Sequence, residues 1–396
     1  MSEHAPTRVV IVGGGIAAAE LLLGLAELAG DRVTQTVISP SDQLTIPPFR
    51  PGQPFSVHAR TTYPLRELTD RVGATLFADT VVAVEPGSQT VQLATGGSVE
   101  YDVLVLAMGA KPVNPYSQAL TFRGDRAAAA FNGLLSDLEQ GYTKSVAFVV
   151  PPGVTWPLPL YELALLTARE AKTMGVAPEL MLITTERRPL DVFGPVGSEA
   201  VAGLLAHADV TFAGDTEVSE PEPGLYTTAG DRPLDVQRVV TIPILDGIAI
   251  PGVPADAHGF IPVDEHCAVR GMAHAYAAGD GAGTPVKQGG IACQQADAIA
   301  ERIAQIAGAP VVPQPLQAVL RGRLLTGSLL RYISDHDAEG APADQPVLFA
   351  AHRKVDGRYL SPWLAEMDGT SLAEHEDDQP TGDNLKVEIE VPTENA

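Results

Sequence analysis

An α/β architecture with mostly parallel sheets is the fold class that this sequence predicts, and three observations predict it. Short apolar runs alternate with longer helical patterns, first over residues 8–12, 16–28 and 35–38, as βα units require. The alternation returns as a strand at 145–150, a helix at about 160–172 and an apolar strand at 180–183. A chain of 396 residues with 45% hydrophobic and 19% charged content has enough apolar material for two or three buried cores.

The remaining elements follow in order. Residues 81–84 and 90–93, separated by Pro86-Gly87, read as a small antiparallel meander, and 103–107 as a strand buried on both faces. Strand and turn signals fill 256–287. Helical periodicity covers 290–306, with Gly308 and Pro310 just past its end. From about 311 the periodicity is weak until Tyr359, and the chain from about 372 reads as disordered.

Lys and Arg total 26 against 49 Asp and Glu, a formal charge of −23, which disfavours nucleic acid as a partner. Ten acidic residues between Glu366 and Ala396 oppose the single Lys386, so this stretch carries −9 of the total. Two cysteines, Cys267 and Cys293, lie in different predicted elements, and no C-x-x-C or His/Cys cluster has metal-ligand spacing. The polar N-terminus runs into glycines without a cleavage site, and no apolar stretch approaches the roughly 18 residues of a bilayer-spanning helix. A soluble, cytoplasmic protein without a metal is the expectation.

The strongest local signal is Val9-Val10-Ile11-Val12-Gly13-Gly14-Gly15-Ile16-Ala17-Ala18, which matches G-x-G-x-x-[GA] directly after a strand and before a helix. Gly13 permits the tight turn, Gly15 has no Cβ to block a pyrophosphate, and Ala18 is small enough for helix and strand to pack closely. The pyrophosphate of a dinucleotide would meet Gly14 and the unpaired N–H groups of the helix N-terminus. About 20 residues on, a carboxylate would normally take the ribose hydroxyls. Ser39 stands there, able to make one hydrogen bond but no bidentate contact.

Two further passages bear on which dinucleotide binds. Tyr101-Asp102-Val103-Leu104-Val105-Leu106-Ala107-Met108-Gly109-Ala110 resembles the "ATG" strand and turn of flavoproteins with two dinucleotide domains, with Met108 in place of the usual Thr. Ala275-Tyr276-Ala277-Ala278-Gly279-Asp280 resembles their second FAD motif. Over roughly the first 310 residues the chain thus resembles the pyridine nucleotide-disulfide oxidoreductase superfamily. The resemblance implies FAD as cofactor, with Val82, Ala107, Gly109, Gly279, Asp280, Lys287, Gly290 and Ile291 beside it. It implies two Rossmann-like dinucleotide-binding domains: a discontinuous FAD domain over 1–125 and 240–310, and a second, with a degenerate nucleotide site, over 126–239. A small C-terminal interface region, 311–371, and an acidic tail, 372–396, would complete the chain.

Within the superfamily, Thr284-Pro285-Val286-Lys287-Gln288-Gly289-Gly290-Ile291-Ala292-Cys293-Gln294-Gln295-Ala296 is most similar to sulfide:quinone oxidoreductases, flavocytochrome c sulfide dehydrogenases and type II NADH dehydrogenases. Lys287 could hold its ammonium near the flavin N1/O2 edge, and Gln294 or Gln295 could bond the ring or an acceptor. Both have plain structural readings as well, as a solvated Lys and two exposed helix glutamines. Cys293 reads as a buried core thiol, and the acids beside Cys267 raise its pKa.

The second βα turn reads Pro151-Pro152-Gly153-Val154-Thr155-Trp156-Pro157-Leu158-Pro159 and has no glycine fingerprint. Prolines remove N–H donors and Trp156 fills space that a pyrophosphate needs. Trp156 also stands where the sulfide-oxidising relatives carry a redox cysteine. Two function classes follow. One is an FAD oxidoreductase, with Lys287 and Trp156 as candidate catalytic residues and a small-molecule, quinone-like or protein redox partner. The other is a non-catalytic or redox-sensing FAD protein. Tyr359 and Trp363 are expected to pack over the flavin domain or against a second copy in a homodimer, and the acidic tail disfavours peripheral membrane contact.

Overall fold

The structure, a computed structural model, describes residues 5–46, 51–55, 62–325, 330–333, 355–369 and 388–391. The chain begins with β1 (Thr7–Val12), α1 (Ile16–Leu28), β2 (Val33–Ile38), β3 (Thr75–Phe77) and β4 (Val103–Leu106). It continues with β5 (Leu120–Thr121), β6 (Ser145–Val149), α2 (Leu158–Met174), β7 (Glu179–Ile183), β8 (Val210–Ala213) and β9 (Arg238–Thr241). It then returns with β10 (Ala275–Ala277) and α3 (Gly289–Ile306), and closes with β11 (Ala318–Leu325) and α4 (Leu360–Met367).

Two five-stranded sheets result, one ordered β10-β4-β1-β2-β3 and the other β5-β9-β6-β7-β8. Every pairing in both is parallel. Because both faces of such a sheet are covered, its strands are apolar throughout. On β1, Val9 and Ile11 join the helical side of the core, whereas Val10 and Val12 pack with Val81, Val84 and Val91 of the expected meander. The structure assigns Leu120–Thr121 and Arg238–Thr241 to the second sheet. The crossings between sheets therefore fall before 120 and after 241, not at 125 and 240.

The stretch after 311, nearly silent in the sequence, contains β11. It pairs antiparallel with Leu330–Ile333 and Glu388–Val391. Of the tail expected to be disordered, Glu388–Val391 is thus a strand, and the rest lies outside the described residues. On β11, Ala318, Leu320 and Leu324 are buried. Among the described residues, no helix is long and apolar enough to cross a membrane, and no cluster of His, Cys, Asp or Glu could hold a metal ion.

Candidate functional site

In parallel α/β sheets, ligands bind where the carboxyl ends of the strands open. Here the carboxyl ends of both sheets face one cavity of about 720 Å³. β1 delivers Gly13–Gly15 to it, β2 Ser39, β4 Ala107 and Gly109, and β10 Gly279 and Asp280. From the second sheet, β6 delivers Gly153 to Trp156 and β9 delivers Ile242 and Pro243.

The glycine turn is shaped by contacts that only glycine tolerates. Gly13 has φ +112, its N–H donates to the Ile38 carbonyl at 2.8 Å, and a Cβ there would lie 2.2 Å from the Ala107 oxygen. A Cβ on Gly14 would lie 2.8 Å from Ser39 Oγ. A Cβ on Gly15 would meet nothing within 4 Å. Gly15 caps α1 without a side-chain partner, so it opens the cavity toward the free N–H groups and positive dipole end of that helix. Ala18 is buried beneath, packing helix onto sheet rather than lining the cavity.

Ser39 lines the cavity as expected, but its hydroxyl is engaged. It donates to the Ser41 carbonyl at 2.8 Å and accepts from the Ser41 N–H at 3.2 Å, so it closes its own loop. Val82 does not belong to the site. It is 47% exposed on the meander and away from the cavity lining, because a register shift in the pairing of Val81–Glu85 leaves Val81 and Val84 as the inward residues.

Gly279 takes φ +77 to start the turn after β10, and its N–H donates to Gln295 Oε1 at 2.7 Å. The Gln295 amide also donates to Thr284 Oγ1 at 3.1 Å. Gln294 donates to and accepts from the Val319 backbone, both at 2.8 Å, and so pins β11. Neither glutamine is left for a flavin or an acceptor, which corrects the expected role of this pair. Gly290 and Ile291 also lie behind the cavity lining. The Gln288 side chain caps α3 by accepting from the Ile291 N–H at 2.9 Å, and Gly289 occupies the lining instead.

Asp280 and Lys287 face each other across the turn. Burial raises the Asp280 pKa, with the Lys287 charge opposing. No protein donor among the described residues bonds its carboxylate. Lys287 is pushed down to about 8 by burial, with Asp280 and then Asp256 opposing. Its Nζ donates to the Ala282 carbonyl and lies 4.1 Å from the Phe260 ring centroid, a cation–π distance. Phe260 is held by Asp256, whose Oδ1 accepts from the His258 and Phe260 N–H groups at 2.8 and 2.9 Å. Asp256, Phe260, Arg321 and Val355 also line the cavity and escaped sequence reading. The first two sit in a loop whose Asx turn was the one available signal.

Trp156 lines the cavity from the second-sheet side and meets Phe193 edge-on, with ring centroids 5.7 Å apart. Both cysteines are buried. Desolvation pushes Cys267 up to about 12 and raises Cys293 well above the ordinary thiol value, so neither is a ready thiolate.

The residues present fit a flavin dinucleotide. An open glycine cradle at a helix N-terminus suits a diphosphate. About 720 Å³ accommodates a large ligand, and the unengaged Asp280 carboxylate suits a sugar-chain hydroxyl.

The family model for pyridine nucleotide-disulphide oxidoreductases matches residues 7–298. The sulfide-quinone reductase of Aquifex aeolicus (strain VF5) is 26% identical over 234 residues, 56% of this chain and 53% of that protein. The match therefore spans about half the relative's length. The crystal structure of the sulfide:quinone oxidoreductase from Aquifex aeolicus aligns with a TM-score of 0.71 at 20% identity, over 81% of this chain and 82% of that one. A ferredoxin reductase from Rhodopseudomonas palustris gives 0.57 at 18%, over 81% and 80%. At these identities the likeness to the solved structures is one of fold. The family match, by contrast, runs from the start of β1, through the glycine cradle and both parallel sheets, into α3, so this chain belongs to the pyridine nucleotide-disulphide oxidoreductase family.

Proposed function

We propose that the protein is an FAD-dependent oxidoreductase in which an electron donor and a quinone-like or protein acceptor exchange electrons through the flavin. The observation that carries this reading is the convergence of the open Gly15 cradle, the unengaged Asp280 carboxylate and Lys287 on one cavity. FAD, when bound, supplies reversible two-electron chemistry that no protein side chain provides.

This chain's residues bind, orient and shield. The N–H groups at the start of α1 hold the diphosphate, and Asp280 accepts a hydroxyl of the sugar chain. Lys287, fixed over Phe260 and bonded to the Ala282 carbonyl, holds a proton and a positive charge at the ring end of the cavity. Such a charge favours anionic over neutral states nearby. Val154, Trp156, Ile242 and Leu245 line the second-sheet side with apolar groups, which would limit water there once the cavity is filled.

Identification of the released cofactor tests the reading first, since a colourless protein overturns it. Anaerobic stopped-flow of the yellow protein with NADH, NADPH, sulfide and a reduced quinone then assigns the donor. Bleaching by sulfide or the reduced quinone is the expected outcome, and silence toward all four overturns the proposed exchange.

A further inference from the structure

The family takes its name from a pyridine nucleotide, yet the second sheet of this chain is built against one. Where a nucleotide-binding βαβ unit ends its second strand, a carboxylate ordinarily turns outward to the ribose. Here Glu186 follows β7 at that place, and its carboxylate turns inward. It accepts from Tyr161 Oη at 2.7 Å, from Thr184 Oγ1 at 3.1 Å and from the Asp191 N–H at 3.2 Å. Tyr161, fully buried in the first turn of α2, also accepts from the Leu190 N–H at 3.2 Å. The loop that would hold a ribose is thereby fastened onto the helix that would hold its diphosphate.

That helix lacks the donors. Pro157 caps α2, Pro159 follows in its first turn, and the Leu160 N–H already bonds the Pro157 carbonyl at 2.9 Å. Before it, Pro151 and Pro152 have no N–H, and the Val154 N–H bonds the Pro151 carbonyl. Pro151, Pro152, Pro157 and Pro159 thus have no N–H to offer a dianionic diphosphate, and those of Val154 and Leu160 are already taken. On this side the cavity offers Val154, Trp156, Pro159, Ile242, Pro243 and Leu245, none of them charged. The cations lining it among the described residues are already engaged, Lys287 by the Ala282 carbonyl and the Phe260 ring and Arg321 by Asp356 at 3.5 Å.

We infer that the second-sheet half of the cavity binds an uncharged, apolar ring molecule against Trp156, and that the inward Glu186–Tyr161 pair with the proline turn excludes NADH and NADPH. The inference deepens the proposed oxidoreductase reading by naming the class of its small redox partner. Trp156, braced edge-on by Phe193, supplies the aromatic face, and apolar burial supplies the affinity. Phe193 is itself backed by β11, since a Cβ on Gly322 would lie 2.4 Å from its ring. The C-terminal sheet therefore fixes the wall.

The test is a binding titration of the protein as purified, with cofactor content measured beforehand. Menadione is the uncharged probe, and NADH and NADPH are the charged ones. Saturable quenching of tryptophan emission by menadione is expected, and equilibrium dialysis, which needs no tryptophan reporter, should give at least a tenfold weaker dissociation constant in Trp156→Ala. The nucleotides are expected to give neither quenching nor flavin bleaching. Equilibrium dialysis of menadione against the unmodified protein keeps the inference testable if the variant does not fold. Saturable binding of NADH or NADPH, absence of menadione binding, or equal affinity in Trp156→Ala would each overturn it. Absence of FAD would instead overturn the cofactor reading, and the titration would still decide the Trp156 wall, which is built from protein alone.

Discussion

Gly13 and Gly15 lie two positions apart, and enlarging them has different consequences. Gly13→Ala places a methyl 2.2 Å from a backbone oxygen at φ +112. It should cost about 3 kcal/mol or more and lower Tm. A Cβ on Gly15 meets no protein atom within 4 Å, so the thermal melt of Gly15→Ala without cofactor should match the wild type while FAD binding weakens roughly 100-fold, about 3 kcal/mol. Melting curves and flavin titrations of the two variants check the pair. Lys287, with a pKa near 8, should lose its charge as pH rises through that value. The midpoint potential of the bound flavin should therefore fall with an extra inflection near pH 8, absent in Lys287→Met, as measured by spectroelectrochemistry. At this scale the sequence named the residue types well and their engagements poorly. Ser39, Gln294 and Gln295 have the right chemistry, but Ser39 is engaged by Ser41 in its own loop and the two glutamines by residues that only folding brings near.

Among the elements, α4 is held in a way that no local pattern announces. Glu20, on α1 and fully buried, accepts from the Tyr359 and Leu360 N–H groups at 2.8 and 2.6 Å, capping the start of α4. Tyr63 donates to Asp368 at 3.0 Å and packs its ring 5.7 Å from Trp363. The aromatic patch therefore packs over the first sheet, one of its two expected places. Glu20→Ala would strand two buried N–H groups and should cost about 3 kcal/mol. Limited proteolysis near residues 355–369 should accelerate accordingly. Beside Glu20, burial and then the Glu20 charge push Asp297 up to about 9. Its folded pKa thus lies above the ordinary carboxyl value. The stabilisation is complete below about pH 4 and is lost as pH rises toward 9. Asp297→Asn should flatten that slope in urea melts across the same window. Glu20 sits within the apolar stretch Ile16–Leu25 of the sequence, which marks it as odd without indicating its partner 339 residues away.

For the whole molecule, the reading requires both the diphosphate cradle and the ring end of the cavity to be filled by one ligand. FAD should therefore stabilise cofactor-free protein by mass action, by about 4 kcal/mol at a thousandfold excess over Kd, and raise its Tm accordingly. FMN, which lacks the adenosine half, should raise it much less. Differential scanning fluorimetry with both ligands makes the comparison. By itself the sequence determined the βα alternation, the glycine turn after β1, the Asp280 turn and the lack of a second fingerprint. Each is a local pattern in which backbone geometry and side-chain period are set by neighbours in the chain. Only the tertiary structure decided that Val82 faces outward, that Glu186 turns in to Tyr161, that β11 backs Phe193, and that the carboxyl ends of two sheets close on one cavity. Those outcomes depend on contacts between distant segments, where burial and competition for hydrogen bonds, rather than local propensity, choose the partner.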